Sequence, residues 1–273
     1  MIHPRTLAET LVALDIDGTL LGYDGSVTDA VREALAEVRA AGAEVVLATG
    51  RGVVGVLHAC EPLAFGSGWA VGSNGAVTAR IDPELPDGFE VVEMITFDPE
   101  PAVRVLAAEL PEALFAVEDL GRGFLVSGEF PDGELSGTQR VVGLDELVSA
   151  PATRVVLRAP ERAPADFHAL VERVGLHEVT YAIGWSAWMD LTPAGVTKAS
   201  ALESLRRRLG VQPFATVAVG DGHNDLEMLR WAARGVAMGH ASDVVREAAD
   251  EVTGTIEDDG VVDVLRSLLR AAG

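Results

Sequence analysis

Short apolar runs alternate with amphipathic stretches of about 10–15 residues along most of the chain, and this alternation restricts the fold more than any other feature. Strands that are separated by helices pair in parallel, because the crossover helix returns the chain to the same end of the sheet. We therefore predict an α/β fold with a doubly wound parallel sheet. Its first elements are a buried strand in TLVALDID, a helix at 28–41, a strand at 44–48, a helix at 53–59 and a short strand at 69–71.

The order of the predicted elements changes after the turn-rich segment IDPELPDG. A strand at 91–95, a helix at 101–110, strand pairs and a helix at 164–174 follow; the earlier order then resumes with a helix at 198–209, a strand at 216–219, a helix at 225–233, a strand at 236–238 and two terminal helices. We expect a core domain of residues 1–81 and 189–273, with an α/β cap domain of residues 82–188 inserted into it. Open α/β sheets bind ligands at their strand-end loops, so a cap inserted there is placed to act as a lid.

Composition excludes several classes of partner. The formal net charge of −21 disfavours nucleic acid and anionic membrane surfaces, which recruit clustered Lys and Arg. The single cysteine cannot form an intramolecular disulfide, and the first residues, MIHPRTLAET, contain no apolar signal segment. No apolar run approaches the roughly 20 residues that span a bilayer. We expect a cytoplasmic protein that acts on a small molecule.

Two carboxylates follow the first predicted strand in the segment DIDGT. Asp15 and Asp17 are two residues apart, so both side chains would project to one face of a continuing strand. A carboxylate can attack phosphorus to form an acyl phosphate, which is the role we assign to Asp15. Asp17 would protonate the leaving alkoxide and then activate water. The alternative is a solvated acidic turn.

A hydroxyl group follows the second predicted strand in VVLATGR. Thr49 and the amides of Gly50 and Arg51 can bind a phosphoryl oxygen there. The glycines at 50, 52 and 55 also spell G-x-G-x-x-G, which is typical of dinucleotide sites. Such sites need an acidic residue at the end of the next strand, and here WAVGSNGA ends in Ser73 and Asn74. We therefore interpret these glycines as a phosphate-facing turn.

Lys198 is the only lysine of the chain, and it lies at the predicted start of a helix. A cation at that position opposes the helix dipole, so helix stability does not explain it. A compact ammonium can instead hold a phosphate and the attacking carboxylate together.

The segment GDGHNDLEML follows the strand TVAV and supplies a third set of polar groups. Asp221 can bind a metal ion together with Asp15 and the backbone carbonyl of Asp17, and an all-oxygen, part-hydrated site favours Mg²⁺. Asn224 can orient Asp221 or a phosphoryl oxygen, while Asp225 can cap the next helix or steady Lys198. The predicted phosphate-binding set is Gly18, Gly50, Arg51, Asn74 and Asn224.

Seven segments of the chain, taken in order, resemble the haloacid dehalogenase-like (HAD) phosphohydrolases. They are DIDGTLLGYDGSVTDAVREAL, GAEVVLATGR, SNGA, LTPAGVTKASAL, GDGHNDLEML, GVAMG and DDGVVDVL. The chain is most similar to the Cof-type group with a type IIB cap, and the resemblance covers essentially all of the first domain. It implies that the nucleophile is Asp15, the acid/base is Asp17, the phosphate ligands are Thr49 and Lys198, and the metal ligands are Asp15, Asp17 and Asp221.

The same resemblance implies a Rossmann-like core, a cap built on an antiparallel sheet, and sugar phosphates or related metabolites as substrates. His240 is a departure, because the group usually has Asn after GVAMG. The cap has no comparably specific motif; Arg122, Arg140, Arg154 and Arg158 are its candidates for binding a second anionic group.

Three alternatives remain at the level of sequence. A phosphoacceptor signalling domain also combines carboxylates, a hydroxyl and a lysine around Mg²⁺, but it places the lysine last and has no inserted lid. A phosphomutase of the same superfamily would keep every residue named above. A non-catalytic binder of phosphorylated metabolites would have no need of the reactive groups.

Overall fold

The protein is described by a computed structural model that covers residues 7–160, 170, 179–183 and 188–272. The strands are β1 Leu11–Leu14, β2 Glu44–Ala48, β3 Gly68–Gly72, β4 Val77–Ile81, β5 Phe89–Met94, β6 Leu114–Asp119, β7 Gly123–Val126, β8 Thr138–Val141, β9 Val155–Arg158, β10 Val179–Ile183, β11 Trp188–Pro193, β12 Thr216–Gly220, β13 Arg234–Ala237 and β14 Glu251–Val252. The helices of the same residues are α1 Asp29–Ala40, α2 Val53–Cys60, α3 Glu100–Glu109, α4 Leu144–Leu147, α5 Lys198–Leu209, α6 Leu226–Trp231, α7 Asp243–Ala248 and α8 Gly260–Ala272. None of these helices is long and apolar enough to cross a membrane.

The core sheet confirms the predicted α/β class. Within the described residues it has eight strands in the order β14-β13-β12-β1-β2-β3-β4-β5. The strands from β14 to β3 are parallel, whereas β4 and β5 form an antiparallel hairpin on the edge next to β3. Leu14, the last residue of β1, is in register with Val219 of β12 and Leu47 of β2. The carboxyl ends of the three central strands therefore lie side by side.

Helices cover both faces of this sheet because its strands are apolar on both sides. All four residues of β1 are buried. Val12 and Leu14 pack in one apolar cluster with Leu35 of α1, and Leu11 and Ala13 pack in another with Leu202 of α5. This alternation follows the two-residue period of a strand and explains the near-continuous apolar runs of the sequence.

A second sheet of six described strands, in the order β10-β11-β9-β6-β7-β8, forms the insertion. Its neighbours are antiparallel except for β7 and β8. Val103 of α3 and Leu147 of α4 pack with Leu157 on one face, and Phe124 packs with Phe130 on the other. The predicted helix at 164–174 lies outside the described residues, apart from residue 170.

Judged by which strands pair, both boundaries between the two sheets lie later in the chain than the predicted cap boundaries at residues 82 and 188. The strand predicted at 91–95 exists as β5, but it belongs to the core sheet through its antiparallel pairing with β4, a strand that was not predicted. At the other junction β11 runs to Pro193 within the cap sheet. Apolar alternation reveals a strand but not its partner, so the sequence does not show to which sheet β5 and β11 belong. The division into two domains itself stays a prediction.

Candidate active site

The central strands deliver three polar side chains to one edge of the core sheet. Asp15 follows β1, Thr49 follows β2, and Asp221 follows β12; all three are buried. The strand ladder continues into this edge, because the Asp15 amide donates to the Val219 carbonyl at 3.0 Å and the Thr49 amide donates to the Val71 carbonyl at 2.8 Å. Parallel pairing therefore fixes the backbone from which these side chains project.

Lys198 joins this edge from α5. Its helix begins with a reciprocal pair of hydrogen bonds between Thr197 and Ser200. Gly75, with φ +107°, passes so close that a Cβ there would lie 2.2 Å from the Thr197 carbonyl oxygen. This close approach sets the start of α5 against the loop after β3, and the Lys198 side chain is fully buried behind Asp15.

The Lys198 ammonium lies between two carboxylates. Its Nζ donates to Asp15 Oδ1 at 2.7 Å and to Asp225 Oδ1 at 2.7 Å. Burial lowers the pKa of Lys198, but Asp15 and Asp225 together outweigh it, so the pKa lies above that of a free lysine. Burial also raises the pKa of Asp15 well above its ordinary value, and Lys198 opposes that rise. A third ammonium hydrogen remains for another acceptor.

Asp225 organises the loop after β12. Its Oδ2 accepts from the amides of Asp221 at 3.0 Å and Gly222 at 2.9 Å, while its Oδ1 accepts from Lys198. One completely buried carboxylate thus orders the turn that carries Asp221 and holds the ammonium in place. Of the two roles that the sequence allowed for Asp225, it therefore performs the second.

The carboxylates suit a hard cation. One oxygen each of Asp15, Asp221 and Asp225 lies within 4.8 Å of the others, and oxygen-only donors are typical of Mg²⁺ sites. Gly18, at φ +82°, borders the same space, since a Cβ there would lie 2.4 Å from Asp221 Oδ2. Burial raises the pKa of Asp221, with a hydrogen bond from Tyr23 opposing it. The Asp17 backbone carbonyl, expected as a ligand, stays a prediction.

Asp17 and Arg51 form an ion pair at the mouth of the site. Arg51 Nε donates to Asp17 Oδ2 at 2.8 Å and Nη2 donates to Asp17 Oδ1 at 2.5 Å. This two-pronged contact raises the pKa of Arg51. Arg51, which is predicted to bind phosphate, thus contacts Asp17, the predicted acid/base.

The remaining predicted residues surround a cavity of about 420 Å³ between the two sheets. Thr49 Oγ1 accepts from the Arg51 amide at 3.1 Å, and Asn224 Nδ2 donates to Asn74 Oδ1 at 2.8 Å. Asn74 holds the left-handed conformation, with φ 53°, in the turn after β3. The core side of the cavity is lined by Asp15, Asp17, Tyr23, Thr49, Gly50, Arg51, Gly52, Val54, Gly55, Asp221, Gly222 and Asn224. Gly18, Asn74 and Lys198 are not part of this lining.

Two residues beside Asp221 have no role predicted from the sequence. The Tyr23 hydroxyl donates to Asp221 Oδ2, although most of the tyrosine ring is exposed. His240 Nδ1 accepts from the Ile256 amide at 3.2 Å, which leaves the ring hydrogen on Nε2, 3.5 Å from the same Asp221 oxygen. The unusual histidine after GVAMG was the only sequence signal for this contact.

Two cap carboxylates also reach the core and were missed. Glu118, at the end of β6, accepts from Ser73 Oγ at 2.5 Å and from the Val53 amide at 3.4 Å. Asp190, in β11, accepts from Asn74 Nδ2 at 3.3 Å. Glu118 follows the apolar run LFAV, and Asp190 lies between Met189 and Leu191 in β11; a carboxylate beside or within an apolar run indicates a polar contact but not its partner.

Comparison with known proteins shows what this chain is similar to. A family model described as haloacid dehalogenase-like hydrolase matches residues 12–93 and 145–265. The phosphoglycolate phosphatase of Natronomonas pharaonis is 33% identical over 255 residues, covering 93% of this chain and 95% of that protein. Phosphatase YwpJ of Bacillus subtilis is 28% identical, covering 95% and 99%. A solved haloacid dehalogenase-like hydrolase from B. subtilis superposes with a TM-score of 0.80 at 25% identity, covering 94% and 99%.

Proposed function

The chain belongs to the haloacid dehalogenase-like hydrolases, and we propose that it is a Mg²⁺-dependent phosphatase that hydrolyses small phosphate monoesters through an aspartyl-phosphate on Asp15. The observation that carries this proposal is that the buried Asp15 carboxylate accepts a hydrogen bond from the Lys198 ammonium and has an oxygen within 4.8 Å of an Asp221 oxygen. A buried carboxylate beside a fixed cation, open to a cavity, is equipped to act as a nucleophile toward an anionic ester.

In the first half of the reaction, an Asp15 oxygen attacks phosphorus and the bond from phosphorus to the alcohol oxygen breaks. The carboxylic acid form of Asp17 gives its proton to that oxygen, so the alcohol leaves neutral. Lys198 holds Asp15 by one hydrogen bond, which orients the attacking oxygen.

In the second half, water attacks the phosphorus of the acyl phosphate while the Asp17 carboxylate takes its proton. The bond from phosphorus to Asp15 then breaks, which releases inorganic phosphate and restores both carboxyl groups. Asp17 lines the cavity and is partly exposed, as a group that exchanges protons with substrate and water must be.

Mg²⁺ would be held by Asp15, Asp221 and the Asp17 carbonyl, and it would neutralise charge on the phosphoryl oxygens. The protein's own phosphate-binding groups are Thr49, the Gly50 amide and the third hydrogen of Lys198. Arg51 holds the Asp17 carboxylate through two hydrogen bonds. An incoming phosphate competes for that guanidinium and frees Asp17 to take up a proton.

Replacement of Asp15 by Asn tests the proposal. We expect Asp15→Asn to lower kcat for p-nitrophenyl phosphate by at least about 1,000-fold, because the amide cannot form the acyl phosphate. The matched control is Asp145→Asn, the same change at an exposed cap residue. EDTA should abolish wild-type turnover and Mg²⁺ should restore it.

Wild-type kinetics in Asp15→Asn would remove the residue from its role. Acid-quenched wild-type enzyme should yield a phosphorylated peptide that contains Asp15, and this peptide should be absent from the variant. A phosphomutase would form the same acyl phosphate but return the phosphoryl group to the substrate, so free phosphate measured against isomerised ester separates the two activities.

A further inference from the structure

The cap forms one wall of the cavity, and carboxylates outnumber cations on it. Among the described cap residues that line the cavity, the carboxylates are Glu118, Asp119, Glu134 and Asp190, and the cation is Arg154. The phosphate-binding groups lie on the opposite, core side. Asp190 pairs with Arg154, Glu134 with Arg158 and Asp119 with Arg122. Among the described residues, Glu118 is therefore the carboxylate of this wall without an arginine partner, and it adds negative charge on the cap side of the cavity.

The structure separates Arg154 from the other three cap arginines. Arg122 and Arg140 have side chains that are 78% and 60% exposed, and neither lines the cavity. Arg158 pairs with Glu134 at 2.5 Å. Arg154 alone of the four lines the cavity, and its side chain is only 8% exposed.

Arg154 does not present a free positive charge. Its Nε and Nη2 both donate to Asp190 Oδ1, at 2.9 Å and 2.7 Å. The Trp188 indole donates to the same oxygen at 3.2 Å, and the guanidinium lies 6.0 Å from the centre of the Phe124 ring. The pair is neutral as a unit and still offers both a donor, Nη1, and an acceptor, Asp190 Oδ2.

The position of this pair is tied to the catalytic side. Asp190 Oδ2 accepts from Asn74 Nδ2 at 3.3 Å, and Asn74 Oδ1 accepts from Asn224 Nδ2 at 2.8 Å. Asn224 lies in the loop that carries Asp221. A hydrogen-bonded chain thus links the cap pair to the loop that carries Asp221, which fixes the position of the pair relative to that loop.

We propose that the pair formed by Arg154 and Asp190 selects the charge of the alcohol half of the substrate: it accepts neutral, hydroxyl-bearing groups and rejects a second anion. This inference rests on the proposed phosphatase function. A hydroxyl group can accept from the guanidinium and donate to the carboxylate, so it satisfies both members of the pair. A carboxylate or second phosphate cannot donate to Asp190 Oδ2, so it leaves that oxygen without a hydrogen from the substrate and places two anions side by side.

Matched substrates test the proposal directly. Glycerol 3-phosphate and 3-phosphoglycerate share a three-carbon chain and differ in a hydroxymethyl against a carboxylate; sorbitol 6-phosphate and 6-phosphogluconate form a second such pair. We expect kcat/KM to favour the neutral member of each pair by about tenfold or more. Equal values, or a preference for the anionic members, would overturn the proposal.

Two variants should shift this preference in opposite directions. Asp190→Asn leaves Arg154 uncompensated, so the ratio of neutral to anionic kcat/KM should fall by about tenfold. Arg154→Gln leaves Asp190 uncompensated, so the same ratio should rise by a similar factor. Each ratio is taken within one preparation, which cancels any difference in the folded fraction. Arg140→Gln, the same change at an exposed cap arginine, should leave it unchanged.

The outcomes distinguish this inference from the function on which it rests. If p-nitrophenyl phosphate and all four esters release no phosphate, the proposed phosphatase function fails. If phosphate is released but both variants move the ratio in the same direction, or leave it at the wild-type value, the residues act only in packing and the charge-selection proposal fails alone.

Discussion

Lys198 should be a large contributor to the stability of the metal-free protein. Its ammonium lies 2.7 Å from two carboxylate oxygens, and the three side chains are at most 7% exposed. At an effective dielectric constant of about 20, each contact is worth about 6 kcal/mol before desolvation. Burial of the ammonium opposes this gain, and removing one partner of such a buried pair costs about 3–5 kcal/mol. We expect that loss for Lys198→Met.

Thermal unfolding in EDTA at pH 7.5, followed by circular dichroism, measures the effect. A loss of that size corresponds to a fall in Tm of about 6–20 °C, at about 2–4 °C per kcal/mol. Because the pKa of Lys198 is raised, its contribution is complete below the value of 10.5 for a free lysine and is lost only as the pH rises through the raised pKa. The measurement at pH 7.5 therefore captures all of it.

Arg207→Met is the matched control for this variant. Arg207 lies on the same helix and pairs with Glu203 at 2.6 Å, but its side chain is 73% exposed. An exposed pair contributes about 1 kcal/mol or less. Adding Asp225→Asn to Lys198→Met should recover part of the loss, since one buried charge fewer is left without a partner. If Lys198→Met costs no more than the control, the ammonium is not the counterion of this cluster.

Two further perturbations probe the cap and the core separately. Glu118→Ala removes the hydrogen-bond acceptor of Ser73 Oγ, Thr153 Oγ1 and the Val53 amide. We expect kcat/KM to fall by about tenfold because the cap docks more weakly on the core. A change within twofold would exclude such a role for Glu118. Burial raises the pKa of Cys60 to about 11. At pH 8 iodoacetamide should therefore alkylate Cys60 in the folded protein about 100-fold more slowly than it alkylates an exposed cysteine. Equal alkylation rates in folded and urea-unfolded protein would contradict this.

The central strands and flanking helices of the core could be predicted because the sequence patterns that indicate them are local. Buried strands such as β1 and β2 read as apolar runs, and α1 and α5 carry capping residues at their ends, Thr28 and Thr197. The parallel order of these strands then places their carboxyl ends at one edge, which brings Asp15, Thr49 and Asp221 together. The hairpin of β4 and β5 could not be assigned to a sheet in this way, because pairing is decided by tertiary contacts.

The cap residues of the site could not be predicted from the sequence, for a related reason. Arg122, Arg140, Arg154 and Arg158 are equivalent as residue types, and only the folded sheet shows which one lines the cavity. Likewise, nothing in LFAVED or WMDLTP indicates that Glu118 contacts Ser73 or that Asp190 contacts Asn74. These contacts join residues more than 40 positions apart, so they depend on how the two sheets meet rather than on any local pattern.

The geometry of each cation in the site explains why an arginine-rich chain retains a single lysine. Arg51 binds Asp17 through two parallel hydrogen bonds, and Arg154 directs two donors at one oxygen of Asp190; both contacts use the planar fork of a guanidinium. Lys198 has a different task, because its two acceptors belong to separate loops and its Nζ lies at the same 2.7 Å from each, inside a closed space. A compact ammonium can bridge them and keep a hydrogen for a third acceptor, whereas a guanidinium is a wider, planar group. Exchange of Lys198 for Arg is therefore a change of shape at the nucleophile, although it conserves charge.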